Sequence, residues 1–391
     1  MRIMVIEGCD YKTAPVGGQL SFCKQLVQVF SPEELCIVGV STSADEPVGL
    51  WYKKEVNSRI YDCFNLYRLD VRDKPAIPLR IMNFLSIIRY RSIIFNNNSY
   101  DLVFIQAPEL MIGSTMFNCL PKRIAYFFHG VANPLNNPRY MWGKLFSKVF
   151  WSELMKSLKK SDYIFAAADS ASIQKALGRY PNLTSKVIRF PTRYDDTVFC
   201  VKPVPIELVE RYSAFNEVII TTGRINKVKG WDFTLESFHH YVRNVGLKNS
   251  CLIFVGGGED EQKLKQKISD LELDSQVFIT GFVGKEDVVG YLNLAHLYLV
   301  GSISEGWSIA MLEALSCGLP IVSTEVSGAR ELIQNGKNGF VCSARNVEHF
   351  SQAIEESLSA GKVINTLSLD IAKRYKVSAL KEALLKIFLG N

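Results

Sequence analysis

Nowhere in this chain do two cysteines stand as Cys-x-x-Cys. The nine that occur, at 9, 23, 36, 63, 119, 200, 251, 317 and 342, are scattered and odd in number. That pattern excludes a disulfide framework and a zinc knuckle, and it fits reduced thiols in a reducing compartment. No Asp-x-Asp pair exists, so the common carboxylate route to a divalent ion bridging a diphosphate is missing, and no metal or other cofactor is expected. A Walker loop, a His-Glu-x-x-His pair and an EF-hand loop are likewise absent. Apolar runs stay well short of the roughly 18 to 20 uncharged residues that span a bilayer. The N-terminus opens as a strand, Arg2-Ile3-Met4-Val5-Ile6, and charge returns at Glu7, unlike a secretory leader. These absences leave a soluble globular protein, expected in the cytoplasm or at the inner face of the membrane. At 391 residues, 48% hydrophobic and 21% charged, the chain is long enough for two domains that each bury a core. Its net charge of +6 suits an acidic small ligand or an anionic membrane surface, and no nucleic-acid partner is expected.

Short runs rich in Val, Ile and Phe alternate with longer amphipathic segments. In the first half the runs cover 3–6, 35–40, 102–105, 124–128, 163–167 and 187–190. In the second they cover 218–222, 252–255, 277–280, 297–300, 320–323 and 339–342. Each reads as a strand buried on both faces, with helices such as 19–29, 79–94, 140–158, 231–242 and 309–316 between them. The alternation predicts an α/β chain of two doubly wound, Rossmann-like domains facing across a cleft. The first domain is expected over 1–195 and the second over 215–366. Lys202-Pro203-Val204-Pro205 marks a linker at 196–214, because two prolines around one residue suit neither helix nor sheet interior. A last helical stretch, 367–391, is expected to pack back across the junction, with Leu380, Leu384, Leu385 and Phe388 on one stripe.

Ligands of such sheets sit beyond the carboxyl ends of the strands, so post-strand loops carry most of the information. After the strand at 218–222 comes Gly223-Arg224-Ile225-Asn226-Lys227-Val228-Lys229-Gly230, ahead of a helix. Gly223 permits a tight turn, while Arg224 and Lys229 offer a planar fork and a point charge to a diphosphate. On this segment alone, a solvated basic loop is as good a reading. Gly256-Gly257-Gly258 after the next strand lets backbone approach closely, or simply turns. After 297–300 lies Gly301-Ser302-Ile303-Ser304-Glu305-Gly306-Trp307, with Ser308 as N-cap of a helix from Ile309 that carries Glu313. Glu305 at the strand end and Glu313 more than a turn into the helix can address different parts of one ligand, with an anion well at the helix start between them. In the first half, Gly17-Gly18 after the first strand can bring N–H groups to a phosphate, and His129 follows the strand at 124–128. Either is equally a bland turn or a structural histidine when taken alone.

The segment from about Val218 to Cys342 resembles the retaining glycosyltransferase family four, of GT-B architecture. The resemblance rests on four ordered motifs. They are Gly223-Arg224…Lys229-Gly230; Glu305…Glu313, the family's Glu-x7-Glu signature, running into Ala314-Leu315-Ser316-Cys317-Gly318-Leu319-Pro320; Ser327-Gly328-Ala329-Arg330-Glu331; and Asn335-Gly336-Lys337-Asn338-Gly339. Gly17-Gly18 and His129 lie where the family has its glycine loop and active-site histidine. The chain departs from the pattern at Pro191-Thr192, at Gly130 and at Gly328-Ala329. The resemblance implies a hexosyltransferase that takes a sugar from a UDP- or GDP-linked donor and passes it to a glycan or lipid-linked saccharide, in cell-surface polysaccharide biosynthesis. It implies that Arg224 and Lys229 hold the diphosphate, Glu313 the ribose, Glu305 the transferred sugar and His129 the donor near the reacting centre. Gly17, Gly18, Gly223, Gly256, Phe282, Val283, Gly306, Trp307, Ser308 and Ile309 complete the donor site, with the backbone at Phe282 and Val283 meeting the base. A non-hydrolysing sugar-nucleotide epimerase and an inactive glycan- or nucleotide-binding subunit share the architecture and stand as alternatives. Lysines interleaved with Trp142, Phe146, Phe150 and Trp151 over 140–160 suit an anionic membrane, or else the aromatics face the core and the lysines are solvated.

Overall fold

A computed structural model describes residues 1–11, 18–70, 77–96, 100–116, 123–128, 135, 143–168, 170–245, 249–359 and 364–390. By contacts the chain divides into two compact units, Met1–Thr192 with Leu380–Asn391, and Arg193–Ala379.

The first unit carries β1 (Ile3–Ile6), α1 (Gly18–Val29), β2 (Leu35–Ser41), β3 (Trp51–Val56), β4 (Arg59–Arg68), α2 (Leu79–Phe95), β5 (Leu102–Ile105), α3 (Pro108–Thr115), β6 (Ile124–Phe128), α4 (Gly143–Lys159), β7 (Tyr163–Ala166), α5 (Ser170–Leu177), α6 (Pro181–Thr184) and β8 (Val187–Arg189). Its strands lie in the order β3-β4-β2-β1-β5-β6-β7-β8, all parallel except β3, which pairs antiparallel with β4. Successive side chains along a strand point to opposite faces. Val103, Ile105, Tyr126 and Phe128 therefore face α2, α3 and α4. Phe104, Phe127 and Phe165 face the other way and stack with Phe22 of α1 and Phe190.

The second unit carries α7 (Ile206–Arg211), β9 (Glu217–Thr222), a 3-10 turn (Lys227–Lys229), α8 (Trp231–Val245), β10 (Ser250–Val255), α9 (Glu261–Asp270), β11 (Val277–Ile279), α10 (Lys285–Leu294), β12 (Leu297–Val300), α11 (Ile309–Ser316), β13 (Ile321–Thr324), α12 (Ala329–Leu332), β14 (Gly339–Cys342), α13 (Val347–Leu358) and α14 (Thr366–Lys373). Its parallel strands run β11-β10-β9-β12-β13-β14. Connections leave β9 toward β10 on one side, and the chain returns to β12 on the other. The order thus reverses between β9 and β12, the place where a Rossmann-like sheet opens a ligand crevice.

Three sequence expectations change. The β3–β4 hairpin was not expected. The segment read as a linker, 196–214, packs within the second unit: the Lys202 N–H donates to Asn293 Oδ1 at 2.9 Å, Asn293 Nδ2 donates to the Cys200 carbonyl at 3.1 Å, and α7 follows Pro205. The boundary between units falls earlier, at Thr192. The tail read as one helical stretch is two, α14 and α15 (Leu380–Leu389), separated by a bridge between Lys376 and Tyr194 and a 3-10 turn at Val377–Ala379. Only α15 belongs to the first unit, where Phe388 packs edge-on to Tyr163 and Phe165. Leu380, Leu384 and Phe388 are buried there, while Leu385 is partly exposed.

Candidate functional site

A pocket opens at the carboxyl ends of β9, β10 and β12, at the switch point of the second sheet. Its wall includes Thr222, Gly223, Arg224, Lys229, Trp231, Thr234, Tyr298, Ser302, Glu305 and Ser308.

Glycines let the loops around it approach one another closely. Gly230 lies in the left-handed region (φ 64°), and a Cβ there would fall 1.9 Å from the Gly301 carbonyl oxygen. Only a residue without a side chain lets the loop after β9 touch the loop after β12. Gly256 (φ 142°) does the same toward the Gly223 carbonyl oxygen, which a Cβ would approach to 2.0 Å. The sequence assigned Gly256 to donor binding, but its residue type is required by backbone packing, and it does not line the pocket. Gly230→Ala is expected to destabilise the second unit by at least about 1–3 kcal/mol of backbone strain, plus the clash. Urea unfolding checks this, and an unchanged midpoint would contradict the close approach.

The charged side chains converge from two loops. Asn226 Oδ1 accepts a hydrogen bond from the Lys229 N–H at 3.1 Å, capping the 3-10 turn and fixing where the lysine leaves the backbone. Lys229 Nζ reaches Glu305 Oε1 at 2.7 Å, and Ser302 Oγ donates to the same oxygen at 2.8 Å. Ser302 is held in turn: buried Thr324, at the end of β13, donates its hydroxyl to the Ser302 carbonyl at 2.7 Å and to the Val300 carbonyl at 3.3 Å. Tyr298 and Thr222 hydroxyls meet at 2.8 Å across neighbouring strands. Burial raises the Tyr298 phenol far above its usual range, so it is a neutral hydrogen-bonding group. Arg224 is exposed at the pocket wall and forms no ion pair with any described residue.

Ser308 caps α11 by accepting from the Met311 N–H at 3.4 Å, and Ile309 begins the helix. Gly306 is exposed. Trp307 is buried: its ring packs on Tyr375 and over Gly328, where a Cβ would lie 2.5 Å from it. Its indole therefore anchors the loop bearing Glu305. Glu313 stands one helix turn on, and no described residue donates a hydrogen bond to its carboxylate. Burial pushes that carboxyl up to about 8; Lys285 and Lys229 pull it down and Asp195 pushes it further up. A carboxyl in this state is short of hydrogen-bond donors, which is what sugar hydroxyls supply. Phe282 is 77% exposed beside Gly257, and Val283 is partly exposed; neither lines the pocket.

Of the sequence candidates, the structure brings Gly223, Arg224, Lys229, Glu305 and Ser308 to one pocket. Gly17 and His129 lie outside the described residues, and Gly18 is the first residue of α1. Ser302, Thr324, Tyr298 and Asn226 were missed. An asparagine three residues ahead of Lys229 is a readable cap signal; the Thr324 contact joins separate strand ends and leaves no local trace. Among the described residues, no group of three His, Cys, Asp or Glu side chains is placed to hold a metal ion.

Residues 213–373 match the family described as Glycosyl transferases group 1. A poly(glycerol-phosphate) alpha-glucosyltransferase from Bacillus subtilis is 34% identical over 146 residues, covering 37% of this chain and 20% of the relative. The chain spans between 20% and 40% of the length of four curated relatives it matches. Sucrose-phosphate synthase from Thermosynechococcus elongatus superposes with a TM-score of 0.76 at 13% identity, over 100% of this chain and 99% of that one. Anabaena HepE in complex with UDP-glucose gives 0.72 at 17%, over 100% of both chains. These likenesses establish the fold: two Rossmann-like α/β units, as in glycosyltransferases of GT-B architecture.

Proposed function

We propose that the protein is a glycosyltransferase that moves a hexose from a UDP- or GDP-linked donor to a glycan or lipid-linked acceptor, with retention of anomeric configuration. The observation that carries the reading is the convergence of Lys229, Arg224 and Glu305 at the β9/β12 switch point, inside the segment that matches the group 1 family. Two cations there suit a diphosphate, and the carboxyl groups at 305 and 313 suit hydroxyls of the sugar and the ribose. Phe282 and Val283 lie one strand further on, where the base would rest.

In this reading the bond from the anomeric carbon to the β-phosphate oxygen breaks as the bond to the acceptor oxygen forms on the same face. The acceptor proton passes to the departing phosphate oxygen. Nothing in that route asks for a protein nucleophile. Positioning, and neutralisation of the leaving diphosphate by Lys229 and Arg224, supply most of the barrier reduction.

The test is nucleotide release from a panel of UDP- and GDP-sugars, with and without an acceptor extract, followed by nuclear magnetic resonance of the product anomer. Acceptor-dependent release with a retained anomer supports the reading. Interconversion of the donor to its epimer, or binding without turnover, defeats it. Because cationic side chains take the place of a metal in this account, turnover is expected to persist in EDTA. Complete loss in chelator, restored by magnesium or manganese, would show that the leaving group is neutralised otherwise.

A further inference from the structure

We propose that the outward faces of α2 and α4 form a cationic, apolar surface that seats the protein on an anionic lipid bilayer. The inference goes beyond sugar transfer and rests on the first unit alone.

Both helices pack their inner sides on one core: Ile87 and Ile94 of α2, and Leu154 and Leu158 of α4, meet the same face of the first sheet, with α3 packed between. The aromatics Phe150 and Trp151 turn toward that core. What is left outside is unusual for a solvated helix layer. On α2, Leu79, Ile81, Leu85 and Ile93 are each about half exposed. On the first two turns of α4, Leu145, Phe146 and Val149 are 71%, 60% and 62% exposed. Together these make up a large share of the exposed bulky apolar side chains among the described residues, and Met116, just past the end of α3, adds to them. Monomeric surfaces rarely gather apolar side chains in this way unless something covers them.

The charges on the same face have one sign. Arg89, Lys148, Lys156 and Lys159 are exposed. Among the described residues of the three helices the carboxylates are Glu109 and Glu153, and each already has a cation, Arg80 at 3.1 Å and Lys156 at 2.7 Å. Along α4 the outward stripe runs from apolar Leu145 and Val149 to basic Lys156 and Lys159. On α2, Ile81 and Leu85 lead to Arg89. Apolar side chains flanked by cations match the boundary between acyl chains and anionic headgroups. A second copy of the chain is the poorer occupant, since pairing this face with itself would set Arg89 and Lys148 against like charges. Among the described residues no helix is long and apolar enough to cross a membrane, so the contact is one of seating on the surface.

The face also stands near the carboxyl-end rim of its own sheet. Asn83 of α2 packs against Gly8, directly after β1, and Arg80 binds Glu109 at the start of α3. Seating therefore brings a bilayer to the carboxyl ends of the strands, where a lipid-borne acceptor would be presented.

The test is flotation of the full chain with vesicles of phosphatidylglycerol and phosphatidylcholine, against phosphatidylcholine alone. Binding is expected with the anionic vesicles, and high salt should weaken it. Arg89→Gln with Lys148→Gln, and separately Leu85→Gln with Phe146→Gln, should each reduce partitioning by about tenfold or more. Circular dichroism and UDP binding confirm that these surface variants are folded. Absence of flotation, equal binding to both vesicles, or a solution dimer that the Leu85→Gln and Phe146→Gln pair dissolves would overturn the proposal. Flotation by a chain that neither binds nor turns over a sugar nucleotide would leave seating intact and defeat the transfer reading.

Discussion

Lys229→Ala is expected to weaken UDP and GDP binding by roughly tenfold to a hundredfold, the loss of one charge-assisted contact of about 1.5–3 kcal/mol. Turnover should fall further, because the departing diphosphate carries more charge in the transition state than in the bound donor. The structure adds a second reason. Lys229 is the cation 2.7 Å from Glu305, whose side chain is 12% exposed. Removing it leaves a largely buried carboxylate in the pocket without its partner, and that charge then repels the phosphates. Arg224→Ala removes a cation that starts from solvent and leaves no stranded carboxylate, so its effect should sit at the lower end of the range. Calorimetry with each diphosphate distinguishes the two. Unchanged affinity in both variants would remove the loop after β9 from the site.

A separation between the two glutamates is the second large effect. Glu313→Ala should lower affinity for the full donor and for free nucleoside diphosphate alike, since ribose is common to both. Glu305→Ala should leave free diphosphate binding nearly intact and reduce turnover by about 10²–10³, the scale for removing a group that positions the reacting sugar. Glu305 is well placed for such a role. Thr324 holds Ser302, and Ser302 and Lys229 together hold one carboxylate oxygen, which leaves the other to face a ligand. The paired measurement is donor affinity, diphosphate affinity and turnover on the same protein. Equal loss of affinity for donor and diphosphate in Glu305→Ala, with the fold intact, would reassign that residue away from the sugar.

How much of this was legible in the sequence depended on burial. Parallel strands covered on both faces must be apolar throughout, so β1, β5, β6 and β12 stand out as short unbroken runs. The antiparallel β3 has no such constraint. It lies at the sheet edge, carries Lys53, Lys54 and Glu55, and so reads as a polar loop. Its turn did leave a mark: Asn57 and Ser58 both adopt positive φ, 51° and 59°, the geometry of a two-residue hairpin loop. The candidate site was legible wherever one loop supplies several groups, as from Gly223 to Gly230. It was not legible where tertiary contact decides. Trp307 looks like a ligand-facing aromatic in a glycine-rich loop, yet Gly328 and Tyr375, distant in sequence, draw its ring inward. The tail failed for a related reason. Its apolar spacing continues through Arg374–Lys376, but the pairing of that stretch with Tyr194 breaks the helix.

Helix α15 sets a schedule for synthesis. The aromatic layer of Phe165, Tyr163 and Phe190 closes only when Phe388 arrives, and Glu34 at the rim pairs with Lys381 of the same helix. Between Thr192 and Leu380 the ribosome makes the whole of the other unit, whose strands and helices are continuous in sequence. The unit begun second can therefore be finished first. The unit begun first must wait through that interval with aromatic surface uncovered, and its contacts across more than 200 residues mark it as the slower and more aggregation-exposed half of a nascent chain.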